Sequence, residues 1–452
     1  MTGTEDRMRI PFPLLPPNAG VVRQGCVAGL LWVVWSVATA QDLPSSLDPL
    51  ALGVETSSPN ADPDQRLGLK LEAWAQAMDR RETQGEADQL GRAVLDFRRE
   101  GPIGGGGRWV LSDRLEAVEY TDGGKDADGV RRNALREVYI SVQASPSWFV
   151  DAGRINLRQG VGLGYNPSDY LRENAVVMRS SQNPAALREN RLGAVMLRAQ
   201  WLDDLGSAQL ALLPQLSDAD RFDDDTWAVG LERTNRHGAA LLRLSPRTGE
   251  RLALDLTGFA REGDAPQIGS NLSWTATDAL LLQLEWSGGR RTPVPTVDAA
   301  RPRDPRWFNR VAAGASWTTP PGLVLSVEQH YAGDALTGAD WQDWRAATGP
   351  AAGRQGALRQ DLQERQDLLT RRYGFARLGW DRALGLASLD LSAFVRRNTA
   401  DGSAFWQAEA VWHAGELWDL GLQHTRSTGA GNSEFGAAPV RATSALYLRC
   451  FL

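Results

Sequence analysis

From Arg66 to its last residue the chain keeps one rhythm, in which apolar and polar side chains alternate at period two. In LDLSAFV, Leu389, Leu391, Ala393 and Val395 alternate with Asp390, Ser392 and Phe394, and Arg396 follows in phase. FWQAEAVWH sets Trp406, Ala408, Ala410 and Trp412 against Gln407, Glu409 and His413. LREVYISVQ places Val138, Ile140 and Val142 opposite Glu137, Tyr139, Ser141 and Gln143. GLVLSVEQHY places Leu323, Leu325 and Val327 opposite Ser326, Glu328 and His330, and RLALDLTGF sets Leu252, Leu254 and Leu256 against Asp255 and Thr257. Successive side chains of a strand point to opposite faces, so this alternation means strands with two chemically different faces.

Strand length separates the possible folds. The segments run about nine to fourteen residues, whereas strands of globular domains average about five or six. Tilted strands that cross a bilayer need about 9 to 11. Nineteen segments carry the pattern: 67–78, 88–100, 107–121, 134–144, 147–158, 190–202, 206–215, 226–234, 237–246, 250–262, 266–275, 279–290, 308–318, 321–333, 371–381, 384–397, 403–413, 416–427 and 440–452. Single-chain bacterial barrels have even strand numbers, so one segment is false or two are one. The weakest region is 203–236. The expected fold is all-β, an antiparallel transmembrane β-barrel of 18 strands over residues 66–452, with 16 as the fallback count. Short turns (TTPPG, DRALG, HAGEL) alternate with long connections (288–307, 334–370, 428–440), as the two ends of such a barrel require.

Composition narrows function. Mean hydropathy is −0.34, charged residues make up 23%, and no run after residue 40 approaches the ~18–20 apolar residues of a membrane helix. A net charge of −6 gives no basic field for nucleic acid. Two cysteines, Cys26 and Cys450, make no disulfide framework, and four scattered histidines show no metal spacing, so no cofactor is expected. Many of the 17 tryptophans, among them Trp148, Trp201, Trp274, Trp286, Trp317, Trp380, Trp406, Trp412 and Trp418, fall near segment ends on the apolar face. An amphipathic ring is stable at headgroup level, so this pattern reads as an aromatic girdle.

The N-terminus carries Arg9 and Arg23 before VAGLLWVVWSV (27–37) and then Ala38-Thr39-Ala40. A positive flank, a short apolar core and a small-x-small exit predict a secretory signal peptide over 1–40, followed by a flexible leader over 41–65. The first 20 residues are long for such a flank, and Met8 is an alternative start. At the other end, ALYLRCFL alternates: Leu446, Leu448, Cys450 and Leu452 form a lipid face, while Tyr447 and Arg449 look inward. This strand is expected to close the sheet on the first one and remove both edges. It also resembles the terminal strands recognised by the barrel-assembly machinery, with Phe451 one place before the end.

If the apolar face meets lipid, the polar face lines a lumen. Its basic candidates are Arg92, Arg114, Arg198, Arg243, Arg261, Arg377, Arg396 and Arg449. Its acidic ones are Glu72, Glu116, Glu137, Asp151, Glu232, Asp255, Glu285, Glu328, Asp390, Glu409 and Asp419. These charges either brace the wall as ion-pair ladders or select what passes. The connection 159–189, QGVGLGYNPSDYLRENAVVMRSSQNPAALRE, is long enough to be functional and is expected to fold into the lumen as a constriction; an external loop is the alternative. The connection 334–370 contains ALRQDLQERQDLLTRR, a polar helical pattern that reads as a lid or surface excursion.

LREVYISV followed by VDAGRINLRQGVGLGYNPSDYL resembles the strand, Gly-Arg, strand, Asn-Pro-x-Asp pattern of Gram-negative outer-membrane barrels related to the alginate-export and general porin-like families. Gly153-Arg154 and Asn166-Pro167-Ser168-Asp169 match; the family's Trp-Gly is replaced by Gln159-Gly160 or Val161-Gly162. The resemblance covers about residues 134–170 and implies a passive barrel in which Arg154 and Asp169 organise the loop against the wall. The expected function is an outer-membrane channel for passive diffusion of small or moderately sized polar solutes through a mixed-charge lumen. Its constriction candidates are Arg154, Asn166 and Asp169. Its partner is outer-membrane lipid. An export conduit for a polysaccharide or other polymer and a structural barrel partnering periplasmic proteins are the alternatives. A barrel enzyme needs a nucleophile beside a base. His330 with Glu328 and His413 with Glu409 lack one, so no enzyme is expected.

Overall fold

The computed structural model describes residues 68–81, 88–120, 129–177, 181–219, 222 and 225–452. The expected signal peptide and leader lie outside the described residues. The strands follow in chain order as β1 (Leu69–Arg80), β2 (Gln89–Ile103), β3 (Gly107–Tyr120), β4 (Val130–Asn133), β5 (Glu137–Ser145) and β6 (Trp148–Ile155). Next come β7 (Ala194–Asp203), β8 (Gly206–Leu213), β9 (Ala239–Pro246), β10 (Leu252–Arg261), β11 (Gln267–Thr277) and β12 (Leu280–Arg291). The series ends with β13 (Arg306–Thr318), β14 (Leu323–Ala332), β15 (Arg372–Trp380), β16 (Leu389–Asn398), β17 (Ala404–Ala414), β18 (Trp418–Thr428) and β19 (Val440–Phe451). Three helices interrupt them: α1 (Pro184–Glu189), α2 (Gly338–Ala346) and α3 (Pro350–Glu364).

Neighbouring strands pair antiparallel around a ring, and β19 closes on β1 from Lys70 opposite Phe451 to Arg80 opposite Val440. β4 and β5 share one stave. β5 pairs with Gly107–Ser112 of β3, β4 pairs with Leu115–Val118, and Ala134 exchanges both backbone bonds with Arg114 between them. The nineteen strands therefore make a closed barrel of eighteen staves.

The segment 226–234 is the false strand. Its alternation is real, since Trp227, Val229 and Leu231 are all exposed on the outside. Yet its one strand-type pairing among the described residues is a parallel bridge of Thr226 with Arg132, and Gly230 at φ 56 turns the chain into a short 3-10 helix, Leu231–Thr234. A left-handed residue breaks the extended run, so the segment lies beside the free edge of β4 instead of forming a stave. Glu232, expected on the wall, sits on that helical turn. Conversely, VRRN of β4 carries no apolar alternation and is strand all the same.

Two different ends result. Short turns at 104–106, 146–147, 204–205, 247–251, 278–279, 319–322, 381–388 and 415–417 gather at one end. Leu452 also donates to Leu69 there. Trp148, Trp274, Trp317, Trp412 and Trp418 stand exposed on the outer face at this end. The long connections gather at the other end. There α2 and α3 bury Trp341, Trp344, Leu358 and Leu362 with Leu336 and Leu369 as a cap. Between the ends, outward residues such as Leu71, Ile140, Val327 and Leu422 are exposed, while inward Glu72, Glu116, Glu285 and Asp419 are buried. The molecule is apolar outside and polar inside, the reverse of a soluble domain.

Candidate functional site

The inside of the barrel is organised by the connection 156–193. The chain leaves β6 at Ile155 and returns at β7, the next stave. In between it bonds to β12, β14 and β17, on the far side of the ring. Its glycine-rich start lies against two inward carboxylates near the middle of their strands. Val161 N and Gly162 N donate to Glu285 Oε2 at 2.8 and 2.9 Å. Ser168 donates through N at 2.7 Å and Oγ at 2.8 Å to Glu285 Oε1. Leu163 N donates to Glu328 Oε1 at 2.6 Å, and Gly164 N to Oε2 at 2.8 Å. His330 Nε2 lies 2.8 Å from the same Oε2. Further on, Gln182 N donates to Gln407 Oε1 at 3.0 Å.

The glycines explain how backbone N–H groups come so close to a wall. A Cβ on Gly160, which has φ 86, would stand 2.6 Å from both Glu285 oxygens. One on Gly164 would stand 2.7 Å from the Phe375 ring. Only residues without a side chain allow this approach.

A second knot fixes the loop from the outer end. Arg310 on β13 reaches Asp334 at 2.5 Å and Asp367 at 2.7 Å, and Arg172 of the loop reaches Asp367 at 2.6 Å. Burial alone would raise the Asp367 carboxyl, but Arg310 and then Arg172 hold it far below the ordinary carboxylate range. Tyr165 packs among Ala312, Ala332, Ala335, Leu368 and Tyr373, and its burial pushes the phenol up. Asp169 pairs with Arg191 at 2.5 Å. The Asn166 carbonyl accepts from Arg172.

The constriction candidates thus divide. Asn166 and Asp169 lie in the loop with the bonds just given. Arg154 does not face the lumen. It stands opposite outward-facing Val138, so it belongs to the outer phase, and it is 1% exposed. The segment 225–235 covers it there: Arg154 Nε donates to Gly193 O at 2.9 Å and Nη1 to Val229 O at 3.0 Å. It ties both long connections to the outer wall rather than lining the pore.

The remaining candidates sit on inward strand positions. Arg114 bonds Glu72 at 3.1 Å and Asp96 at 2.8 Å, and Glu116 pairs with Arg92 at 2.8 Å and Arg132 at 3.3 Å. Glu137 pairs with Arg98 at 2.5 Å, Arg198 with Asp151 at 2.8 Å, and Arg243 with Asp255 at 2.6 Å. Glu409 accepts from Tyr447 OH at 2.6 Å. Arg396 lies 4.9 Å over the Tyr373 ring, and Arg377 follows Phe375 in phase on β15. His413 bonds not Glu409 but Asp390 at 2.9 Å and Asp419 at 2.7 Å.

The two signs are layered. In these pairs the acid is the more buried partner: Glu72 is 2% exposed beside Lys70 at 27%, Glu116 1% beside Arg132 at 25%, Asp151 1% beside Arg198 at 13%, and Asp255 17% beside Arg243 at 27%. Short acids lie against the wall and long cations reach over them. At these pairs it is the cation that water meets. Sequence reading missed Asp96, Arg172, Arg191, Arg310, Asp334 and Asp367. Asp96 and Arg310 do follow inward phases of their strands; the other four lie in loops that carry no period.

No family model matches the chain, and no curated relative matches its sequence. Solved structures do match in shape. Acinetobacter baumannii OccAB1 aligns with a TM-score of 0.50 at 11% identity, covering 85% of this chain and 95% of that one. A BenF-like porin from Pseudomonas fluorescens Pf-5 gives 0.49 at 14% identity over 85% and 97%. Pseudomonas aeruginosa OccK2 (OpdF), solved in complex with glucuronate, gives 0.49 at 14% over 85% and 98%. At such identities the shared property is the fold, a closed antiparallel barrel of the outer-membrane porin type.

Proposed function

We propose that the chain is an outer-membrane channel through which small or moderately sized polar solutes diffuse passively, with anions favoured over cations. The observation that carries this reading is the polar lumen of an apolar-belted barrel, crossed by a fixed loop and surfaced by arginines and lysine that overlie buried acids. The loop narrows the passage and so filters by size; the overlying cations filter by charge. Asn166 and Asp169 act in the constriction, and Arg114, Glu116, Arg198, Asp255, Arg377 and Arg396 act on the wall. β19 is the strand offered to the assembly machinery. The Gly153-Arg154 and Asn166–Asp169 pattern supports kinship with the alginate-export group. A polymer conduit, however, calls for an unobstructed lumen, so the crossing loop favours small solutes.

Protein reconstituted in a planar bilayer should give stable ohmic steps. In a salt gradient the reversal potential should show anions passing more readily, and Arg132→Ala with Arg243→Ala should reduce that preference. A silent protein would sink the channel reading, and a cation preference would sink the charge argument.

A further inference from the structure

We propose that Glu285 and Glu328 are a latch whose ionised state holds the connection 156–193 across the lumen, so that acid releases the loop and widens the pore. The effect on current rests on the channel reading above; the latch itself does not.

Both oxygens of Glu285 are saturated: Oε2 accepts the N–H groups of Val161 and Gly162, and Oε1 accepts the N–H and O–H of Ser168. Bonds to an ionised acceptor are about twice as strong as neutral ones, so a carboxyl that takes up a proton holds the loop less tightly even where Ser168 Oγ turns to accept that proton and donates to Asn271 Oδ1. Glu328 accepts from Leu163 N and Gly164 N in the same way, and its Oε2 lies 2.8 Å from His330 Nε2. Both side chains are 2% exposed or less, so water cannot replace what is lost. Neither carboxylate has a cation within ion-pair distance among the described residues, apart from His330 beside Glu328. The nearby loop groups are Arg188, which donates to Gln159 O and Gly160 O, and Tyr170, which bonds Ser287 Oγ on β12. Asn271 of β11 and Ser168 share a 2.9 Å bond beside Glu285. Arg310 of β13 is committed to Asp334 and Asp367. On the Glu328 side stand His330, the Phe375 ring of β15 and Arg396 of β16, whose guanidinium lies over Tyr373. The loop's grip on β12 and β14 therefore runs through uncharged donors, five backbone N–H groups and the Ser168 hydroxyl, held by two buried carboxylates.

The test reads loop position and current separately. A cysteine at Leu163, buried against Phe375 and Phe394 beneath the latch, reports release by its labelling with a bulky maleimide, counted above the protein without it. In Leu163→Cys protein, labelling taken relative to the denatured protein at the same pH, which cancels the loss of thiolate in acid, should rise as pH falls. Adding Glu285→Gln, which has the same shape and cannot ionise, should raise labelling at neutral pH by about tenfold or more and weaken its pH dependence, because one charge-assisted bond lost is worth at least that factor. Glu328→Gln should do likewise, and Glu285→Asp should keep the pH dependence. Heat-modified gel mobility verifies that each barrel is folded. If Glu285→Gln does not fold, Ser168→Ala removes one donor and should still raise neutral labelling. Labelling in the folded Gln variants equal to that of the parent at neutral pH overturns the latch. Raised labelling with no current from any variant upholds the latch and overturns the channel reading.

Discussion

Tyr447 shows how one residue fixes its neighbours inside the barrel. Its ring lies 4.1 Å from that of Trp74 on the adjoining strand, Arg449 stacks over it at 4.3 Å, and its hydroxyl bonds Glu409 two staves away. The ring reaches Glu409 by lying flat across Gly421 of β18, its cross-strand partner. A Cβ on Gly421 would fall 1.9 Å from Tyr447 Cζ, far inside contact distance. Gly421→Ala should therefore cost about 1–3 kcal/mol, the usual penalty for overpacking. The readout is the temperature at which the heat-modifiable folded band is lost. Tyr447→Leu combined with Gly421→Ala should recover part of that loss, since the clash needs the ring; equal melting of the wild type and Gly421→Ala would refute the packing argument.

Among elements, the knot of Asp367 joins three pieces: the connection 156–193 through Arg172, the connection 333–371 that carries it, and β13 through Arg310. A carboxyl held below its ordinary value gives stability that is complete above that value, about 3.9, and fades only as pH falls toward the depressed one. Asp367 is such a group. Its contribution should be flat from pH 7 to about 4, so loop release within that span must come from elsewhere. Asp367→Asn should loosen both connections at neutral pH by about 3–5 kcal/mol, the cost of breaking a buried ion pair, seen as faster protease nicking in the connections with the barrel band intact. This knot was not legible in the sequence, although the staves were. Strands such as β14 and β16 meet different media on their two faces, so their composition alternates. Arg172, Asp334 and Asp367 lie where the chain has no period, and only folding brings them together. The segment 226–234 misled for the same reason that the staves did not: Trp227, Val229 and Leu231 face outward like a strand's, but without a ladder of partners. Arg154 misled because the family resemblance, not the phase of its strand, put it in the pore: it continues the outward alternation of Trp148, Val150 and Ala152.

At the scale of the whole molecule, the claim that matters most is which face meets hydrocarbon, because it turns a closed sheet into a conduit. Val327 and Leu422 sit midway along β14 and β18, each 58% exposed on the outside. Ser392 sits on the inward phase of β16 between Asp390 and Phe394. In water, arginine at any of the three would be nearly neutral for stability. In a bilayer the outward two would place a guanidinium near mid-depth, where outer-membrane barrels lose about 2–4 kcal/mol. The inward one would join a hydrated wall and lose little. Val327→Arg and Leu422→Arg should thus lower the denaturant midpoint of lipid-reconstituted protein, whereas Ser392→Arg should leave it in place and alter the current instead. The contrast is internal to one protein and one substitution, so it does not depend on how well arginine is tolerated in general. Equal midpoints for all three would mean that the apolar belt does not face lipid, and the channel reading would fall with it.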